Sequence, residues 1–112
     1  MGYRSQVVLA FHKALLPKFL NAIAGSEDTK KLVFEWRESW DKEFNGVHHC
    51  IIWDHIKWYG DEDTRTIENF VHDNHEDARF MRIGEDWEDC EDYGEFALDE
   101  IRIERTQSIE FY

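Results

Sequence analysis

Carboxylates are the groups in this 112-residue chain whose number and spacing could do chemistry. From Glu85 to Glu95 the sequence reads Glu85-Asp86-Trp87-Glu88-Asp89-Cys90-Glu91-Asp92-Tyr93-Gly94-Glu95, with seven carboxylates in eleven residues and no basic side chain. Like charges at this density repel one another and stay in water unless a cation or a basic partner neutralises them. Trp87 stands alone among those charges, and Tyr93 repeats the pattern. An aromatic framed by charges is a common anchor at a protein interface. Trp87 could equally fold back over a sheet edge.

Other residue types invite chemistry and then fall short of it. His48, His49, Cys50, Asp54 and His55 concentrate metal-ligand types in eight residues. On a strand His49 and His55 share a side but stand about 20 Å apart, too far to share an ion. His48 and Cys50 share the other side and supply two ligands, with two more needed from elsewhere. From Asp89 a calcium-loop pattern begins, with Glu91 third, Gly94 sixth and Glu100 twelfth, but Tyr93 at the fifth place lacks the side-chain oxygen wanted there. No metal or other cofactor is assigned.

Asp54, with apolar neighbours on its strand side, is the best candidate for a general acid or base, which needs a carboxyl in an apolar pocket. The bland alternative is a buried Asp54 paired with Arg4, Arg79 or Arg82, and it is preferred. No nucleophile motif, phosphate-binding glycine loop or cofactor fingerprint occurs. Cys50, inside an apolar strand, suits a structural thiol.

The chain as a whole has 13 Lys plus Arg against 25 Asp plus Glu, a formal charge of −12. That balance argues against direct nucleic-acid binding, which needs a basic face to replace counterions. It disfavours anionic membrane surfaces for the same reason. Disorder is a poor explanation for the charge, because 42% of residues are hydrophobic and 15% aromatic. Two cysteines are too few for a disulfide framework. No apolar run approaches a membrane span, and no signal-peptide pattern opens the chain. A reducing cytoplasm is the expected location.

The elements that must position these residues follow from periodicity. Tyr3 to Phe11 contains Val7-Val8-Leu9-Ala10-Phe11, an apolar run that suits a central strand buried on both faces. Leu16, Phe19, Leu20 and Ile23 share one face of a helix, with Pro17 in its first turn and Gly25 as a left-handed end. Ser26 caps a second helix, whose buried stripe is Leu32, Trp36 and Trp40. Trp36, Trp40, Trp53 and Trp58 read as core.

Val47 to Tyr59 is the second strand, entered through an Asn45-Gly46 turn. A third helix, capped by Asp61 or Asp63, presents Ile67, Phe70 and Val71. Ala78 to Ile83 is the third strand. A last strand or hairpin runs from Phe96 to Tyr112, with Ile101, Ile103, Ile109 and Phe111 on one side. The order is β-α-α-β-α-β-β. It predicts a single α+β domain over residues 1–112, with a mainly antiparallel sheet of about four strands. Helices cover one face and the other face is polar. Val7, Leu9, Leu20, Trp36, Ile52, Phe70 and Phe80 are the expected core.

Gly2-Tyr3-Arg4-Ser5 opens the chain, Ile56-Lys57-Trp58-Tyr59 closes the second strand, and Arg82-Ile83-Gly84-Glu85-Asp86 closes the third. In this order the three segments resemble a family of small, acidic, uncharacterised bacteriophage and prophage proteins. The motifs are short and no activity accompanies the family. The resemblance implies an accessory role in an infected or lysogenic bacterial host, and hence host interaction.

The expectation is therefore a non-enzymatic protein whose Glu85, Asp86, Trp87, Glu88, Asp89, Glu91, Asp92 and Tyr93 meet a basic site on a host protein. The specific form is inhibition of a host defence or nucleic-acid enzyme, with carboxylates standing in for phosphates. The competing expectation is a small enzyme or small-ligand protein with a pocket around Asp54 and His55.

Overall fold

The computed structural model describes residues 5–44, 46–58, 62–84, 90–94, 101–103 and 109–111. Its elements are β1 (Ser5–His12), a short 3-10 turn (Lys13–Leu15), α1 (Leu16–Ala24), α2 (Glu27–Phe34), β2 (Ser39–Phe44), β3 (His48–Ile56), α3 (Glu62–Asp73), β4 (Ala78–Ile83), β5 (Cys90–Gly94), β6 (Ile101–Ile103) and β7 (Ile109–Phe111). Five strands form one antiparallel sheet in the order β2-β3-β1-β4-β5. The class is α+β, as the periodicity predicts. The first four strands have the sheet order of the split βαβ, or ferredoxin-like, motif, with two helices, α1 and α2, in the first crossover where that motif has one. β5 extends that sheet beyond β4. β6 and β7 pair as a separate hairpin, with Ile101 opposite Phe111 and Ile103 opposite Ile109.

β1 sits at the centre because its apolar run can bury both faces. It pairs with β3 on one side and β4 on the other, and Val7 through Phe11 are all buried. Alternate residues point to opposite faces. Val7, Leu9 and Phe11 join Ile51, Trp53, Ala78 and Phe80 under the three helices, where they meet Phe19, Ile23, Leu32, Val33, Ile67, Phe70 and Val71. Phe11, Phe19 and Phe70 form the aromatic centre, with ring centroids 4.8 to 5.5 Å apart.

The face away from the helices departs from expectation. Val8, Ala10, Cys50, Met81 and Ile83 lie there as a second buried apolar cluster. The polar face inferred from the C-terminal alternation does not extend to this sheet, because β1, β3 and β4 carry apolar residues at both parities.

The largest correction concerns α2. Trp36 and Trp40 do not continue its buried stripe: the helix ends at Phe34, Trp36 is 65% exposed, and Trp40 lies on β2. A helix leaves its last four carbonyls without internal donors. Here donors from beyond Phe34 meet three of them. Glu35 and Trp36 N–H groups both donate to the Lys31 carbonyl, the Trp53 indole N–H donates to the Leu32 carbonyl at 2.8 Å, and an Arg37 guanidinium N–H donates to the Val33 carbonyl. No glycine or proline is needed to stop the helix, so local sequence carries no stop signal.

Two smaller expectations also change. Leu20 is 39% exposed on the outer side of α1. Gly25 takes a right-handed conformation, because the Ser26 N–H turns back to the Ile23 carbonyl and Ser26 at once caps α2 through the Thr29 N–H. Asp61 lies outside the described residues, and Asp63 falls inside α3.

Trp53 therefore has two roles, filling the core and capping α2. Replacing it with Phe removes the indole donor together with three ring atoms, so a small cavity adds to the lost bond. The Leu32 carbonyl would then be buried without that donor, which costs about 1–3 kcal/mol. Urea denaturation of Trp53→Phe should show at least this loss with an unchanged slope; a change below about 0.5 kcal/mol would contradict the capping role.

Candidate functional site

The acidic stretch divides in two. Glu85, Asp86, Trp87, Glu88 and Asp89 lie outside the described residues, as does Glu95. The rest forms β5, an edge strand of the five-stranded sheet. The backbone of Tyr93 pairs opposite Phe80.

Glu91 and Asp92 are neutralised from within. β4 carries two arginines in an otherwise apolar strand, and both are buried. Arg79 and Asp92 lie on the face of the sheet away from the helices. There the guanidinium makes a two-pronged contact, Nε to Oδ1 at 3.1 Å and Nη2 to Oδ2 at 2.8 Å. Arg82 and Glu91 are directly opposed on the helix face, with Nε 2.8 Å from Oε1, and Arg82 also donates to the Ser5 hydroxyl. β5 is thus pinned to β4 by one ion pair on each face.

The exposures explain the design. The Arg79 side chain is 5% exposed and that of Asp92 39% exposed. A buried guanidinium requires a paired carboxylate, while a part-exposed carboxylate keeps much of its hydration. The bidentate geometry adds strength and fixes register. Gly94 ends the strand at φ +98°, where an added Cβ would stand 2.1 Å from the Ala78 carbonyl oxygen. Only glycine fits there, because the β5 backbone passes directly against β4.

The other sequence candidates are scattered. Asp54 is exposed on β3, so the apolar pocket that acid–base work at this residue would need is not formed around it. It does not pair with Arg79 or Arg82 through any of the bonds described above, whose carboxylates come from β5. The side chain of His55 lies outside what is described. His48 stands edge-on to His12, ring centroids 5.3 Å apart, and burial with the neighbouring His12 lowers its pKa to about 4. His49 is buried against Phe11. Cys50 is buried, its pKa raised to about 12 by desolvation, as suits a structural thiol; Cys90 is exposed on β5 and both are free. Among the described residues no three metal-ligating side chains converge.

An open groove of about 470 Å³ lies between α1 and α3, lined by Lys18, Ala22, Asn69, Phe70 and Asp73 among others. It holds neither Asp54 nor His48.

Sequence reasoning placed Arg79 and Arg82 in a buried strand and offered them a buried Asp54; Asp54 is exposed, and carboxylates of β5 pair with both arginines, while Arg4 lies outside the described residues. Two charges inside Ala78–Ile83 demand partners, and acids flank that strand on both sides, Glu76 and Asp77 just before it and the run from Glu85 just after it. A turn returning the later acids beside β4 satisfies both. Compared with family models, curated proteins and solved structures, the chain matches none. The connectivity alone carries no function, since folds of this kind host many unrelated activities.

Proposed function

We propose that this chain is a non-enzymatic accessory protein of a phage or prophage that binds a basic site on a host protein through its acidic surface. The observation that carries the reading is that the acids of Glu85 to Asp89 immediately precede, in sequence, an edge strand whose own Glu91 and Asp92 are already paired with arginines. The formal charge of −12 supports it, as does the density of acids from Glu85 to Glu95. The resemblance to small acidic phage proteins supports the host context. Long-range attraction would speed encounter with a basic partner. In the sharper form of the proposal the partner's basic site is a nucleic-acid channel, and the carboxylates occupy phosphate positions.

The internal pairing redistributes the roles. Glu91 and Asp92 fix the strand, so Glu85, Asp86, Glu88 and Asp89 supply the charge for a partner, with Trp87 and Tyr93 as aromatic anchors. Capture from bacterial lysate, followed by purification of the retained protein, tests this. A basic protein should bind at low salt, elute as ionic strength rises and be displaced by duplex DNA in excess. Exposed charges are screened beyond about 8 Å at physiological ionic strength, which gives the salt dependence its origin. Retention that is indifferent to both salt and DNA would overturn the proposal.

A further inference from the structure

At the opposite edge of the sheet, β2 is held by an arrangement that only a neutral imidazole can make. The Trp40 indole N–H donates to His49 Nδ1 at 3.0 Å. His49 is 6% exposed and stacks on Phe11, with ring centroids 5.3 Å apart. An indole nitrogen is a donor only, so His49 Nδ1 must be the acceptor and its proton must sit on Nε2. A second proton would go to Nδ1 and point at the indole N–H, so protonation and this bond exclude each other.

Trp40 is the main inward side chain of β2. It packs against Phe19 and Phe34, and it carries Arg37 and Lys42 over its ring. Apart from Trp40 and Phe44, the side chains of β2 are exposed, and its pairing with β3 shifts register between Asp41 and Phe44.

The geometry points to a pH-sensitive clasp: the His49–Trp40 bond fastens edge strand β2 to the sheet, and β2 lets go when His49 takes a proton. Charged and titratable groups near His49 and Trp40 come from β1, the turn after it, β2 and β3, with Arg37 over the Trp40 ring. His12 ends β1, Lys13 follows it, Lys42 and Glu43 lie on β2, and His48 precedes His49 on β3. Lys13 pairs with Glu43 and gives β2 a second tie.

Burial, with Lys13 and Lys42, lowers the His49 pKa, while Glu43 opposes them weakly. The sign follows. The clasped state binds fewer protons than the released state, so clasping is complete above the ordinary histidine range near 6.5 and weakens as pH falls below it. Each unit below that range shifts the equilibrium about tenfold toward release for one proton.

The test uses the three donating indoles among the described residues as separate reporters in one NMR titration from pH 8 to pH 4. Trp53 donates to the Leu32 carbonyl and Trp58 to Glu68, both away from His49. The Trp40 indole N–H should shift and exchange faster in step with the His49 ring nitrogens, while that of Trp53 stays unchanged. His49→Gln, whose carbonyl can accept the same bond without titrating, should keep Trp40 protected and abolish the acid step. Three results would overturn the clasp. Trp40 could stay protected while His49 is protonated, Trp53 could change at the same pH as Trp40, or the acid step could persist in a folded His49→Gln protein.

Discussion

Replacing Asp92 with Ala should destabilise the protein by about 3 kcal/mol, the low end of the range for breaking a buried ion pair. The substitution strips two charge-assisted bonds from an arginine that is 5% exposed, while the part-exposed Asp92 side of the pair holds the cost below the upper end. Glu91→Ala should cost somewhat less, since the Arg82 contact is single-pronged and Ser5 retains one of its bonds. A change on the arginine side distinguishes an ion-pair effect from a packing effect. Arg79→Met in the Asp92→Ala background should recover most of the loss, because the charge that lacked its carboxylate is gone. Denaturant melts of the two singles and the double measure this. A double variant less stable than Asp92→Ala alone would contradict the pairing as the source of the effect.

Gly94→Ala should be about as damaging, by a different route. The backbone there sits at φ +98°, outside the region alanine favours, and the added methyl would meet the Ala78 carbonyl and the Arg79 backbone. Backbone atoms cannot rotate away as a flexible side chain would. Combining the conformational penalty with the overlap gives a loss of about 3 kcal/mol or more. Hydrogen exchange should localise it, with the paired amides of β4 and β5 losing protection before those of β1 and β3. A Gly94→Ala protein as stable as the parent would show that β5 does not pass against β4 as described.

The parts of this fold legible in sequence are those that local physics decides. Val7 to Phe11 is apolar at both parities, and only a central strand accommodates that. Ser26 ahead of Glu27 and Asp28 marks a helix start, and the structure begins α2 there. Ile67, Phe70 and Val71 share the buried side of α3. The failures share a cause. Leu32, Trp36 and Trp40 recur every four residues, a spacing that also fits a helix end followed by a strand. The decision is made by Trp53 and Arg37, whose donors finish the helix from outside its ladder. The roles of Glu91 and Asp92 were hidden for a similar reason. Their charge is plain in the sequence, but its neutralisation depends on Arg79 and Arg82 lying across the ladder, which no local pattern records. Density of charge located the candidate site; strand register sets Glu91 and Asp92, which hold the fold, apart from the rest of the stretch.

That division changes which substitutions probe binding. Reversing Glu91 or Asp92 to Lys would set like charges beside buried arginines and unfold β5, so loss of binding would carry no message. Reversing Glu85, Asp86, Glu88 and Asp89 leaves the carboxylates of the Arg79–Asp92 and Arg82–Glu91 pairs in place. The decisive measurement is the association of a four-lysine variant, E85K/D86K/E88K/D89K, with the basic protein recovered from bacterial lysate, by surface plasmon resonance at several salt concentrations. With the fold verified by the unchanged melting of the variant, association should slow at least tenfold and its dependence on salt should flatten, since the steering charge is gone. A folded variant that associates at the parent rate, with the parent's salt dependence, would show that the stretch is a solvated face and not a binding surface.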